Sequence, residues 1–403
     1  MATERPGASI QEPSSMLPEG GQNLFQRIKE VSTRAEAMDI ELIRLSIGQP
    51  EGYPLVSAME KAAEAIMSRD QSMHEYQDNG SPGVPGFSEG FVKAHIKTPL
   101  EGENVAYLPT PGTKPMLGLF PLACGGADRK LTIATMTNPG YPTPKDWARG
   151  YLGHNVFELP LNPENGFRFS IKDIPEGTDL IMINYPHNPS GQVATKEQLE
   201  ELCQYCQNKG IRLVNDAAYM ALSHTDESTT LTDVAVNYPG LSWIELFSSS
   251  KTLGNATGWR IGAAVGSPIF IKDLATIKGN TDSGFAAPLA AGVLYAVEHD
   301  KAGIEANRAK FERRIKVLTD IIKNNGVQLA VEPQAGFFVL TKTPRYAFGE
   351  EMKDAEDFNT RMIYQTGIVC VPFHPYIRLA GCTDVEALAP KIDAGFKKAA
   401  VSY

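Results

Sequence analysis

Between about residues 104 and 300, short apolar runs alternate with amphipathic stretches, and this alternation constrains the fold more than any other feature of the chain. A strand buried on both faces reads as a continuous apolar run of four to eight residues, whereas a helix laid against it repeats every 3.6 residues. The runs Leu131 to Thr137, Val156 to Leu161, Leu180 to Asn184, Ile211 to Asn215, Ile244 to Ser248 and Ile261 to Val265 have strand length. Between two of them, Lys196 to Asn208 is helical in pattern and opens on Thr195, with Gln198 three residues later, the order of a capping box. Strands and helices in alternation predict an α/β fold with a mostly parallel sheet flanked by helices.

The pattern then changes. A long polar helix is expected from about Lys301 to Asn324, a strand at Phe337 to Thr341, a helix near Ala355 to Gln365, short strands at 368–372 and 377–380, and a final helix. This predicts a smaller α+β domain. Residues 1–22 repeat at neither period and are expected to form an arm. No Gly/Ser-rich linker separates the two regions, so the smaller domain should pack on the larger and take both chain ends. The expected division is an arm at 1–22, a small domain at 23–55 with 301–403, and a large domain at 56–300.

A net charge of -9 and the lack of a Lys/Arg-rich run argue against nucleic acid as a partner. No apolar stretch approaches the roughly 20 residues of a membrane span, and residues 1–22 lack the apolar segment of a signal peptide, which points to the cytoplasm. Five cysteines, an odd number, argue against a disulfide framework. Cys203 and Cys206 form a C-x-x-C inside the helical pattern with no second ligand pair nearby, so they read as core residues and no metal is expected.

Three segments can carry chemistry. Ser248-Ser249-Ser250-Lys251 through Gly258-Trp259-Arg260-Ile261-Gly262 joins the end of one strand to the start of the next, the place where open α/β sheets bind ligands. An amine among hydroxyls, followed by glycines and an arginine, suits Schiff-base chemistry beside a phosphate. Asn184-Tyr185-Pro186-His187-Asn188-Pro189-Ser190-Gly191 also follows a strand and can fix an amide against a ligand. In Asn215-Asp216-Ala217-Ala218-Tyr219, an acid at a buried strand end needs a positive partner or marks a functional site.

In this order, from N-P-x-G through D-x-x-Y to S-x-S-K and G-W-R-x-G, the segments resemble the fold-type I aminotransferases of classes I and II. The resemblance runs from Leu45-Ser46-Ile47-Gly48-Gln49-Pro50 to Arg378. It implies a seven-stranded sheet and a pyridoxal 5'-phosphate (PLP) cofactor held by Lys251 as a Schiff base, the lysine also moving protons. It implies that Asp216 pairs with the pyridine nitrogen, that Tyr219 and Asn188 donate to the phenolic oxygen, and that Tyr141 stacks on the ring. Gly112, Thr113 and Lys114, with Ser248, Ser250 and Arg260, would form the phosphate cup. Arg378 would clamp the substrate carboxylate, aided by Gly48 and Asn188. Tyr76 would reach the phosphate of a neighbouring subunit, which implies a homodimer. The activity implied is amino transfer from an L-amino acid to a 2-oxo acid by a ping-pong mechanism, a role in amino acid metabolism, with a PLP-dependent lyase or cyclase as the alternative.

Two departures from the family pattern bear on these roles. Arg260 follows Lys251 by nine positions where eight is usual, and the Tyr76 segment is longer than usual; an extra residue not absorbed before Gly258 would carry Arg260 away from the phosphate. Lys278, His374 and Arg27 are candidates for contact with a distal carboxylate. A remote alternative is an S-x-x-K serine hydrolase built on Ser248 and Lys251, but its companion motifs fail: Gln77-Asp78-Asn79 lacks the serine and Lys342-Thr343-Pro344 lacks the glycine. Glycines 80, 83 and 86 do not have the spacing of a dinucleotide turn.

Overall fold

The computed structural model describes residues 24–403, so the arm expected at 1–22 lies outside the described residues. The first nine strands are β1 (Ile43–Arg44), β2 (Ala106–Thr110), β3 (Thr132–Thr135), β4 (Asn155–Glu158), β5 (Leu180–Ile183), β6 (Arg212–Asp216), β7 (Trp243–Ser248), β8 (Gly262–Gly266) and β9 (Phe338–Lys342). Seven of them form one sheet in the order β2-β8-β7-β6-β5-β3-β4. Every neighbouring pair is parallel except those made by β8, which runs antiparallel to both β2 and β7. The reversal brings the start of β8 to the edge where the other strands end: Gly262 pairs with both Thr110 and Ser248.

Alternate residues of the strands enter two apolar cores. Ile181, Ile183, Leu213, Phe247 and Val265 join one, packed with Leu199, Leu202, Cys203 and Cys206 of the helix Lys196–Lys209. Leu180, Met182, Val214, Ile244, Leu246 and Ala264 join the other, with Met116, Phe120, Phe270 and Leu274 from the helices Lys114–Ala123 and Pro268–Lys278. Burial on both faces is why the strands read as unbroken apolar runs. The seventh strand, β2, was absent from the sequence pattern because Pro109 interrupts it; proline cannot donate to a ladder and is tolerated here because β2 lies at the sheet edge. Only half of the expected capping box forms: Thr195 Oγ1 accepts from the Gln198 N–H at 3.2 Å, while the Gln198 amide turns to the Tyr185 hydroxyl at 3.1 Å.

One acid sits wholly inside this sheet. Glu245, in the middle of β7, accepts from the Leu231 and Thr232 N–H groups, the Thr232 hydroxyl and the Asn215 amide at 2.6–2.9 Å. Asn215 in turn holds the Tyr185 N–H and C=O, so the loop after β5 is tied to β6. Glu245→Ala would leave four buried donors unpaired and is expected to lower stability by about 3 kcal/mol or more, measured by urea unfolding of the apoprotein.

A third core, with Leu45, Phe311, Phe337, Phe338, Ile377 and Leu379, lies under a three-stranded antiparallel sheet of Val371–Phe373, Tyr376–Ala380 and β9. The helices Lys301–Asn324, Ala355–Thr366 and Val385–Ala399 complete it. β1 pairs in parallel with Ile368–Val369, so the first described strand meets the C-terminal part of the chain. Among the described residues, no helix is long and apolar enough to cross a membrane.

Candidate active site

A cavity of about 310 Å³ opens where the ends of β2, β3, β5, β6 and β7 meet the start of β8. Its lining brings together Gly48, Thr113, Lys114, Tyr141, Asn188, Asp216, Tyr219, Ser248, Ser250, Lys251, Arg260 and Arg378, residues scattered over more than 300 positions of sequence. Phe25, Gln49, Asn184, Ala218 and Phe338 complete it.

Lys251 sits in the four-residue helix Ser249–Thr252, which begins where β7 ends; Ser248 caps it by accepting from the Ser250 N–H at 3.2 Å. The Lys251 ammonium is half-buried and donates to the Gly48 carbonyl at 2.8 Å. Burial, with the positive charges of Arg260 and Arg378 nearby, lowers its pKa to about 8. A lysine so placed is a nucleophile near neutral pH, as amine chemistry requires.

Asp216 is the last residue of β6, 8% exposed, and its Oδ1 is buried with no partner among the described residues. Burial raises its pKa to about 6, against the pull of Thr113 and the Ala218 N–H. The carboxylate thus faces the cavity short of a cation. Asn184 links two strand ends at this point: its amide donates to the Asp216 carbonyl at 2.7 Å, and its oxygen accepts from the Asn188 N–H at 2.9 Å. Tyr219 packs edge-on against Phe337 and Phe338, each ring centroid 5.5 Å away.

Thr113, which also reaches Asp216, precedes the helix Lys114–Ala123; Pro115 has no N–H, the Met116 N–H donates to the Thr113 carbonyl at 3.0 Å, and the Lys114 N–H is left without a partner inside the helix. Gly112, at φ +81°, allows the Arg260 guanidinium to approach: a Cβ there would lie 2.3 Å from its Nη2. Arg260 itself has φ +58° and follows the 3₁₀ turn Thr257–Trp259. At nine positions after Lys251, Arg260 lines the cavity. Lys114 stands with Nζ 6.0 Å from the Tyr141 ring centroid.

Arg378, in the strand Tyr376–Ala380, is 3% exposed. Its Nη1 donates to Asn188 Oδ1 at 3.1 Å and its Nη2 to the Ser46 carbonyl at 2.8 Å, while Nε has no partner among the described residues. Phe338, Phe373 and Phe25 surround the guanidinium, with centroids 4.2, 5.4 and 5.8 Å away. Burial lowers its pKa to about 10.

Some candidates lie elsewhere. Tyr76 is 79% exposed and outside the cavity. The three suggested for a distal carboxylate also fall outside it: Lys278 is fully buried against Asp282 at 2.6 Å, Arg27 pairs with Glu356 at 2.9 Å, and His374 is exposed. Phe25 and Phe338 are not legible as site residues, since apolar side chains in helix and strand patterns carry no mark of a cavity; Asn184 lies in the expected loop but is not among the expected site residues, since it acts on the backbone of Asp216 and Asn188.

Residues 40–386 match the profile of the family described as aminotransferase class I and II. The chain belongs to this family. It is 31% identical over 373 residues to the LL-diaminopimelate aminotransferase of Methanocaldococcus jannaschii, covering 89% of this chain and 85% of that one. The enzyme of the same description from Methanococcus maripaludis is 29% identical over 89% of this chain and 86% of that one. The fold matches a mutant aspartate aminotransferase of Thermus thermophilus with a TM-score of 0.80 at 22% identity, over 94% of this chain and 97% of that one. It also matches Bna3p of Saccharomyces cerevisiae, described as a putative kynurenine aminotransferase, with a TM-score of 0.81 at 21% identity over the same shares. The class I and II aminotransferases depend on PLP, and the cavity fits that cofactor. An orphan buried carboxylate oxygen suits a cationic ring nitrogen, and the helix start beside Arg260 suits a phosphate.

Proposed function

We propose that the chain moves the amino group of an L-amino acid to a 2-oxo acid in two half-reactions, with Lys251 as both the cofactor-holding amine and the proton carrier. The observation that carries this reading is the pairing, in one cavity, of an amine with a pKa lowered to about 8 and a buried carboxylate oxygen with no partner among the described residues. When bound, PLP supplies the carbonyl carbon that an amine attacks and the ring that accepts electrons from the substrate α-carbon.

The chain's own residues do the rest. Asp216 holds positive charge at the ring nitrogen; Asn188 and Tyr219 offer donors to the phenolic oxygen; Tyr141 covers the ring. Thr113, Lys114, Ser248, Ser250, Arg260 and the Gly112 turn take the phosphate. Arg378 binds the α-carboxylate, with Gly48 supplying backbone and Asn188 holding the guanidinium in place at 3.1 Å. Retaining the carboxylate on Arg378 favours transfer over decarboxylation. Tyr76, exposed on one subunit, serves the neighbouring phosphate in a cytoplasmic homodimer. The domains follow the division at 23–55 with 301–403, and 56–300.

The relatives act, by their names, on LL-diaminopimelate, and we extend that to an amino donor with a second polar terminus. The Lys114 side chain supports the extension: its part in the phosphate cup is its backbone N–H, which leaves the ammonium, on the cavity wall 6.0 Å from the Tyr141 ring centroid, for the substrate. The test is a panel of L-amino acids, LL-diaminopimelate included, against several 2-oxo acids, following both the 2-oxo acid released and ammonia. Release of a 2-oxo acid in step with amination of the acceptor is expected; ammonia without an aminated acceptor would replace this reading with a lyase. With the best donor, Arg378→Lys is expected to raise KM about 10- to 100-fold, because one point charge replaces a two-pronged donor.

A further inference from the structure

A helix of four residues does not hold itself, since the first turn fixes several dihedrals for one hydrogen bond. The helix Ser249–Thr252 nevertheless carries Lys251, the side chain on which the proposed reaction turns. Ser248 secures its start. Its end is secured from 56 residues away: Asn307 Nδ2 donates to the Lys251 carbonyl at 3.0 Å and to the Thr252 carbonyl at 3.3 Å, groups that a helix terminus leaves without partners.

Asn307 is 5% exposed, and its Oδ1 is buried with no partner among the described residues. The amide thus gives up one hydrogen bond to aim its donors at the lysine's peptide. The reverse orientation would set its oxygen against two carbonyl oxygens. Asn307 belongs to the helix Lys301–Asn324, which grips the segment around Arg378 as well: Phe311 packs on Phe337 at 5.2 Å, and Arg314 donates to the Cys382 carbonyl at 3.2 Å.

We propose that Asn307 is a positioning residue for Lys251: by holding the two carbonyls it fixes the backbone from which the lysine reaches its reacting partner, and it couples that backbone to the body carrying Arg378. The proposal rests on the reading of Lys251 given above. A small rotation of the peptide moves Nζ, at the end of a four-carbon stem, much further than it moves Cα. Misplacement of a reacting group by about 1 Å costs on the order of 100-fold in rate.

The test compares wild type, Lys251→Ala, Asn307→Leu and Asn307→Asp as full-length proteins. It measures PLP affinity, the pH midpoint of the visible band of the lysine-bound cofactor, thermal midpoint, and kcat and KM at saturating PLP. Asn307→Leu is expected to lower kcat about 10- to 100-fold with KM little changed and to move the band midpoint. Asn307→Asp, which turns oxygens toward both carbonyls, should do so at least as strongly. A wild-type kcat and midpoint in Asn307→Leu would overturn the proposal, as would a loss that saturating PLP restores with the midpoint unmoved. If Asn307→Leu does not fold, Asn307→Ser, which leaves room for a bridging water, decides by the same readings. A wild-type protein with no band that Lys251→Ala removes overturns the reading of Lys251 and this proposal together; a normal band beside an unaltered Asn307 variant overturns this proposal alone.

Discussion

Lys251→Ala is expected to lower turnover on the order of 10⁴-fold while leaving PLP bound, because the phosphate cup and Asp216 remain. Two functions go at once: the amine that holds the cofactor and the base beside the substrate α-carbon, and general acid–base catalysis alone is worth about 10²- to 10⁴-fold. The wild-type apoprotein supplies an internal check. Burial sets the Lys251 pKa at about 8, so the ammonium prevails below that pH and the nucleophilic free amine above it. The rate of covalent PLP uptake should therefore rise with pH through about 8 and then level off, while uptake by Lys251→Ala shows no covalent phase. Turnover in Lys251→Ala within tenfold of wild type would remove the lysine from the reaction.

The parts of the site legible in the sequence are those where chemistry and local structure share a segment. Lys251 follows a strand-length run and stands among hydroxyls; Asp216 ends another; Asn188 lies in a turn-rich loop after a third. Each strand end points to a shared edge once the sheet is parallel. The sequence does not say which strand runs the other way, and the reversal of β8 is what brings Arg260 beside Gly112. Nor could residue counting place Arg260, since its position relative to Lys251 depends on the backbone between them, which includes the 3₁₀ turn Thr257–Trp259 and ends on a left-handed φ of +58° at Arg260. Asn307 and Glu245 escaped for another reason. Both lie mid-element and act on backbone groups 56 and 13–14 residues away, and nothing local marks such a partner. Of the candidates for a distal carboxylate, Lys278 is buried and paired with Asp282 and Arg27 is paired with Glu356, which charge alone does not reveal, while exposed His374 lies outside the cavity lining.

Asp216→Asn is expected to lower turnover about 10²- to 10³-fold with the lysine-bound cofactor still formed, the size of effect seen when one preorganised charge contact is lost. The substitution keeps the size of the side chain and one acceptor oxygen, and removes the charge that holds a proton on the ring nitrogen together with one acceptor. A pH measurement separates this role from plain packing. In the apoprotein burial raises the Asp216 pKa to about 6, and a cationic partner at Oδ1 would draw it down. The contribution of this attraction between carboxylate and ring to PLP affinity is therefore fully present above about pH 6, declines as pH falls below it, and is lost once pH passes the lowered pKa of the complex. Wild-type PLP affinity should weaken more steeply below pH 6 than that of Asp216→Asn, and taking the ratio of the two cancels the cofactor's own titrations. Parallel pH curves, with turnover of the variant near that of wild type, would mean that Asp216 has another partner and that the fit of the cavity to PLP rests on the phosphate end alone.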